Sequence, residues 1–143
     1  MHHSRTQAPT ANELAASPFV VHALNLAWLQ SQPDDPNFRH EEGGWIYLNL
    51  TTGEMTTLRA TRGGQASVNL SHPPHFTGAV VVGKFHTHPN PSWEGWEPGP
   101  SASDDIVNER DGVPDLIRAD DGIYFSGPER RRGGLWGEPG FPT

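Results

Sequence analysis

Ala79-Val80-Val81-Val82-Gly83-Lys84-Phe85 runs without a break into His86-Thr87-His88-Pro89. The first part is a near-continuous apolar run of β-forming residues, the pattern of a strand buried on both faces and therefore central in its sheet. In an extended chain residues i and i+2 point to the same face. His86 and His88 thus stand side by side where the strand ends, and Pro89 closes it. Residues 89–100 carry four prolines and two glycines and read as a loop.

Upstream, Gly44-Trp45-Ile46-Tyr47-Leu48-Asn49-Leu50 and Glu54 to Ala60 flank Thr51-Thr52-Gly53 and predict a hairpin. A further strand is expected over Ala66–Leu70. Ser17-Pro18 is a helix start, and Phe19, Val20, Ala23, Leu24, Ala27 and Trp28 recur at helical spacing, which predicts a helix over 18–31. Residues 1–16 are polar without periodicity and read as a flexible arm. Downstream, Ser101 to Arg110 predicts a short helix with acidic residues in its first turn, and Val113–Arg118 with Ile123–Phe125 predict a closing strand pair. Residues 17–143 then form one α/β domain, a mixed sheet with helices.

The chain has 143 residues, enough for one core. Its 16 Gly and 14 Pro imply many turns. A net charge of −7 argues against a nucleic-acid partner, which needs a basic face. Zero cysteines exclude a disulfide framework, a Cys-based zinc site and a thiol nucleophile. No apolar run approaches the roughly 18 residues of a membrane span, and the first residues lack a signal-peptide pattern. A cytoplasmic protein without membrane contact is expected.

Two neutral imidazoles are good zinc ligands at about 2.0–2.1 Å, and a catalytic zinc adds a third protein ligand and keeps one position open. Ser101-Ala102-Ser103-Asp104-Asp105 offers that ligand from the first turn of the next helix. On residue types alone, His-X-His reads either as a metal pair or as a hydrogen-bonded surface pair, and Asp104 either as a ligand or as a helix cap. The order of buried strand, His-X-His-Pro, loop and Ser-X-X-Asp is the specific feature.

That order, His86-Thr87-His88-Pro89 then Ser101-Ala102-Ser103-Asp104, resembles the JAB/MPN/JAMM zinc metallopeptidase family in its bacterial branch. The family's upstream Glu-X-X-Gly is matched by Glu41-Glu42-Gly43-Gly44. The resemblance spans roughly residues 17–128. It implies a JAB/MPN-type α/β domain of cytidine-deaminase-like architecture, with zinc on His86, His88 and Asp104. It further implies Glu41 as general base and then acid, and the Ser101 hydroxyl as stabiliser of the tetrahedral oxyanion. The implied reaction is hydrolysis of a peptide or isopeptide bond, in the family often one made by a ubiquitin-like C-terminus. Glu42 and Asp105 are the adjacent alternatives to Glu41 and Asp104. A catalytically silent protein-binding module on the same fold is the second reading. A Cys-ligated deaminase is excluded by composition.

The loop from Asn90 to Pro100 is longer than the family's and carries Trp93 and Trp96, which read as a clamp on an extended peptide tail or as packing back on the domain. His22, His72 and His75 read as solvated or hydrogen-bonded, Trp45 and Trp136 as packing residues, and Arg130–Arg132 as a solvated run or a docking patch for an acidic partner. Oligomeric state and physiological substrate have no signature in the sequence.

Overall fold

A computed structural model describes residues 7–133. Five strands form one sheet: β1 (Gly43–Asn49), β2 (Met55–Arg59), β3 (Ala79–Thr87), β4 (Asp115–Ala119) and β5 (Gly122–Ser126). Their order is β2-β1-β3-β4-β5. β1 is antiparallel to β2 and β3, β3 is parallel to β4, and β4 is antiparallel to β5. The sheet is therefore mixed, and β3 occupies its middle, as its apolar run requires. The parallel β3–β4 step needs a crossover, which α3 (Ala102–Asp111) supplies. Among the described residues no helix is long and apolar enough to cross a membrane.

α1 (Ala11–Ala16) and α2 (Pro18–Gln30) cover one face, burying Leu14, Val20 and Leu24 against Ile46, Leu48, Val82, Phe85 and Leu116. The opposite face buries Trp45, Tyr47, Val81 and Val113. β1 pairs across a register shift between Ile46 and Tyr47. Beyond it, Trp45 lies opposite Lys84 in the ladder, and Lys84, His86 and His88 project to that second face by strand alternation.

Of the expected arm over residues 1–16, residues 1–6 lie outside the described residues, and residues 10–16 are folded rather than loose. Thr10 caps α1, its hydroxyl accepting from the Glu13 N–H while the Glu13 carboxylate accepts from the Thr10 N–H, a capping box. Leu14 is fully buried. The expected strand over Ala66–Leu70 is also absent. The segment joins no ladder; it is anchored by apolar packing of Val68 and Leu70 near Trp45 and by the Trp45 Nε1–H donating to Leu70 O at 3.1 Å. Within Arg130–Arg132, Arg131 is only 5% exposed and its guanidinium donates to Val81 O at 2.8 Å, so it is a structural residue. His2, His3 and Trp136 lie outside the described residues.

Leu14 ties α1 to the core, so Leu14→Ala is expected to cost about 2–5 kcal/mol in urea unfolding. A change within experimental error would return the segment to the status of an arm.

Candidate metal centre

His86 stands on the central strand, where ladder bonds on both sides fix its backbone. Opposite it lies Gly43, where a Cβ would come within 2.6 Å of Phe85 O and 3.0 Å of His86 Cβ. Glycine there lets β1 approach and brings the preceding carboxylates to the imidazoles. The Glu42 N–H donates to Thr87 Oγ1 at 3.0 Å, and the Thr87 N–H donates to Glu42 O at 2.9 Å. Residue 41 is held by its own N–H donating to Gly64 O at 2.7 Å and by the Gly63 N–H donating to Glu41 O at 2.9 Å.

Three residues expected at the site come together tightly. Glu41, His86 and His88 each offer a ligand atom, and these atoms all lie within 4.8 Å of one another. Asp104 closes from α3, with carboxylate oxygens 3.5 Å from His88 Nε2 and 3.9 Å from His86 Nε2. The two Nε2 atoms are 3.1 Å apart. Ligands at about 2.05 Å around a tetrahedral ion are about 3.3 Å from each other, so the nitrogen pair already has that spacing.

Hydrogen bonding decides which ring nitrogens carry protons. His86 Nδ1 lies 3.1 Å from both Asp115 oxygens, and His88 Nδ1 lies 3.3 Å from Pro98 O. Both partners only accept, so each Nδ1 is the donor. In the neutral rings, therefore, both Nε2 lone pairs and the Asp104 carboxylate converge on one point with no donor among them. Such a point calls for a cation, and the His–carboxylate pairing behind it is the usual arrangement for a metal-ligating imidazole. Where no metal is bound, a proton does that work: burial alone would lower the His86 pKa, but the Asp115 carboxylate outweighs it and carries it up to about 9.

The two site carboxylates are pushed apart. Burial raises Glu41 to about 7 against the pull of His86 and His88. Burial also acts upward on Asp104, but its bond to His88 and the charge of His86 outweigh this and hold it well below the usual carboxylate range. One group is thus a permanent anion and the other a proton carrier near neutrality. The neighbours have other work. Glu42 accepts from His40 Nε2 at 2.6 Å and from Arg59, and Asp105 accepts from Ser126 Oγ at 2.6 Å.

Ser101 caps α3, its Oγ accepting from the Asp104 N–H at 3.0 Å while Asp104 accepts from the Ser101 N–H at 2.9 Å. Ser101 lines a cleft of about 660 Å³, and its hydroxyl, which accepts in the cap, keeps its own hydrogen to donate. The cleft also holds Trp96, 38% exposed, whereas Trp93 is 77% exposed and lies outside the lining. Only Trp96 is therefore placed to meet a ligand in the cleft. The loop between them is anchored by Arg39, whose guanidinium donates to both Glu94 oxygens at 3.0 and 3.1 Å. His22, His72 and His75 are exposed and are not part of the cleft lining, although His72 borders it, its Nδ1 lying 2.8 Å from the Oγ of the lining residue Ser71.

Sequence reasoning missed the support behind His86. Asp115 also accepts from Asn108 Nδ2 at 3.0 Å, and Asn108 donates to Ser126 Oγ at 2.9 Å. The signal was a lone Asp in the apolar run Val113-Pro114-Asp115-Leu116-Ile117, since a buried charge demands a partner.

No protein-family model, curated protein or solved structure matches this chain.

Because a proton occupies the site when metal does not, metal binding is expected to release about one proton per ion near pH 7. Affinity then rises with pH until His86 titrates at about 9. Calorimetry in buffers of different ionisation enthalpy measures this; no proton release would refute a protonated His86 in the metal-free site.

Proposed function

We propose that the chain is a zinc-dependent hydrolase of the JAB/MPN/JAMM type that cleaves a peptide or isopeptide bond, a ubiquitin-like C-terminus being one candidate acyl group. The observation that carries this reading is the convergence of three acceptors, His86 Nε2, His88 Nε2 and Asp104, without a donor, beside a carboxyl poised near pH 7. Two imidazoles and one carboxylate are a donor set suited to zinc with a fourth position open.

Zinc bound there would supply Lewis acidity for water and for the scissile carbonyl. His86, His88 and Asp104 would hold it, with Asp115 keeping His86 in the required tautomer. Glu41, whose pKa burial raises towards neutrality, takes a proton from water as the oxygen adds to the carbonyl carbon. The Ser101 hydroxyl donates to the oxygen of the tetrahedral adduct. As the C–N bond breaks, Glu41 returns the proton to the amine nitrogen, so acid and amine leave with the elements of water accounted for. Trp96 forms an apolar wall of the cleft against which an extended acyl segment can lie.

A binding module that keeps the fold without hydrolysis is the competing reading, and one variant separates the two. Glu41→Gln is expected to retain zinc while hydrolysis of peptide and ubiquitin-like amide substrates falls by about 10²–10⁴-fold. Undiminished turnover in Glu41→Gln would remove the assigned base; zinc-loaded wild type inert on every amide offered would favour the binding module.

A further inference from the structure

A chain of buried hydroxyls stands behind Glu41 and takes no direct part in the proposed chemistry. By strand alternation His86 and His88 face the cleft, so Thr87 between them faces α1 and α2. Its hydroxyl meets that of Ser31, the C-cap of α2, with the two oxygens 2.5 Å apart. Ser31 Oγ has a single hydrogen and gives it to Ala27 O at 2.9 Å. Thr87 is therefore the donor of the pair, and its Oγ1 accepts from the Glu42 N–H at 3.0 Å. The direction of every bond is thus fixed, from the Glu42 N–H through Thr87 and Ser31 to Ala27 O. Thr87, Ser31 and Ala27 are fully buried, so water does not compete for these groups. Ser31 also holds the other side of Glu41, its carbonyl accepting from the His40 N–H at 3.0 Å. Of the N–H groups of residues 40–42, two donate to backbone carbonyls and only that of Glu42 donates to a side chain.

Resting on the hydrolase reading above, we infer that Thr87 and Ser31 are positioning residues, which set where the Glu41 carboxyl stands against the histidine pair without deciding whether that pair can hold a metal. The separation follows from connectivity. The rings of His86 and His88 take their orientation from Asp115 and Pro98 O, and neither is bonded to the hydroxyl chain. Glu41 instead lies between two backbone bonds that both lead to Ser31. A base misplaced by about 1 Å can cost about 10²-fold in rate, so the second residue of the His-X-His stretch acts on the base through the backbone.

Three variants of the full chain separate hydroxyl from packing. Thr87→Val keeps the volume and loses the hydroxyl, Thr87→Ser keeps the hydroxyl and loses a methyl, and Ser31→Ala removes the acceptor at a distance from the histidines. Amide exchange at Glu42, followed by NMR, is expected to quicken at least tenfold in Thr87→Val and to stay within about threefold of the parent in Thr87→Ser. The zinc-loaded proteins are then titrated with acetohydroxamate, whose hydroxyl proton requires a carboxylate acceptor beside the metal, so its affinity reads the place of Glu41 without turnover. Glu41→Gln is expected to weaken the probe about tenfold, Thr87→Val about fivefold at unchanged zinc content, and Ser31→Ala about threefold, with Thr87→Ser within twofold of the parent. A role in packing alone predicts the reverse order, with Val tolerated and Ser harmful.

Unchanged Glu42 exchange or probe binding in Thr87→Val, failure of Thr87→Ser to restore them, or loss of zinc from Thr87→Val overturns the inference and leaves the hydrolase reading standing. If Thr87→Val does not fold, Ser31→Ala carries the comparison, and probe binding equal to the parent's overturns the inference there. A parent that takes up no zinc, or probe binding indifferent to Glu41→Gln, overturns the hydrolase reading and the positioning role with it.

Discussion

Two imidazole nitrogens that both present lone pairs repel each other unless a cation sits between them. His86 Nε2 and His88 Nε2 are held 3.1 Å apart, each turned there by an acceptor that claims the opposite nitrogen. The rest of the structure serves this arrangement. The central position of β3 makes the backbone of His86 rigid. The crossover helix delivers Asp104 from its first turn and Asn108 from its middle, one to the histidine pair and one to the carboxylate behind His86. The loop after Pro89 is fastened through Glu94 to the buried Arg39, which keeps Pro98 O in place against His88.

Environment then differentiates the acids. Glu41 and Glu42 are neighbours in the segment leading into β1, but one lines the cleft and the other meets His40 and Arg59. Asp104 and Asp105 are separated by helix geometry in the same way, Asp105 being occupied with Ser126. The anionic ligand and the proton carrier are thus distinguished by burial and partners rather than by residue type. Lys84, two residues before His86 on the same face of β3, is buried against Asp111.

Much of the fold was legible in the sequence because its signals are local. The helix expected over 18–31 is α2, the hairpin is β1–β2, and the apolar run from Ala79 is the central strand, which continues through His86 to Thr87, the His88 N–H donating to Arg118 O just beyond it. The segment Ala66–Leu70 has strand composition but no partner strand, and its apolar side chains are satisfied by Trp45 instead; pairing is not a local property. α1 escaped because six residues are too few for periodicity, although Thr10-Ala11-Asn12-Glu13 carried a capping-box signature. At the site, His86, His88 and Asp104 were legible from order and spacing. Asp115 and Asn108 were not, because their roles arise from the parallel β3–β4 pairing and the crossover helix.

The central claim is that these residues form a zinc site of two nitrogens and one carboxylate with an open position. Zinc K-edge X-ray absorption on purified protein tests it, with metal stoichiometry measured beside His88→Ala. The account predicts about one zinc per chain, absent from the variant, in a four-coordinate shell of light N/O atoms at about 2.0–2.1 Å with two imidazole scattering patterns. A six-coordinate aquo-like shell without imidazole, or a wild-type chain that takes up no zinc when it is supplied, would contradict it.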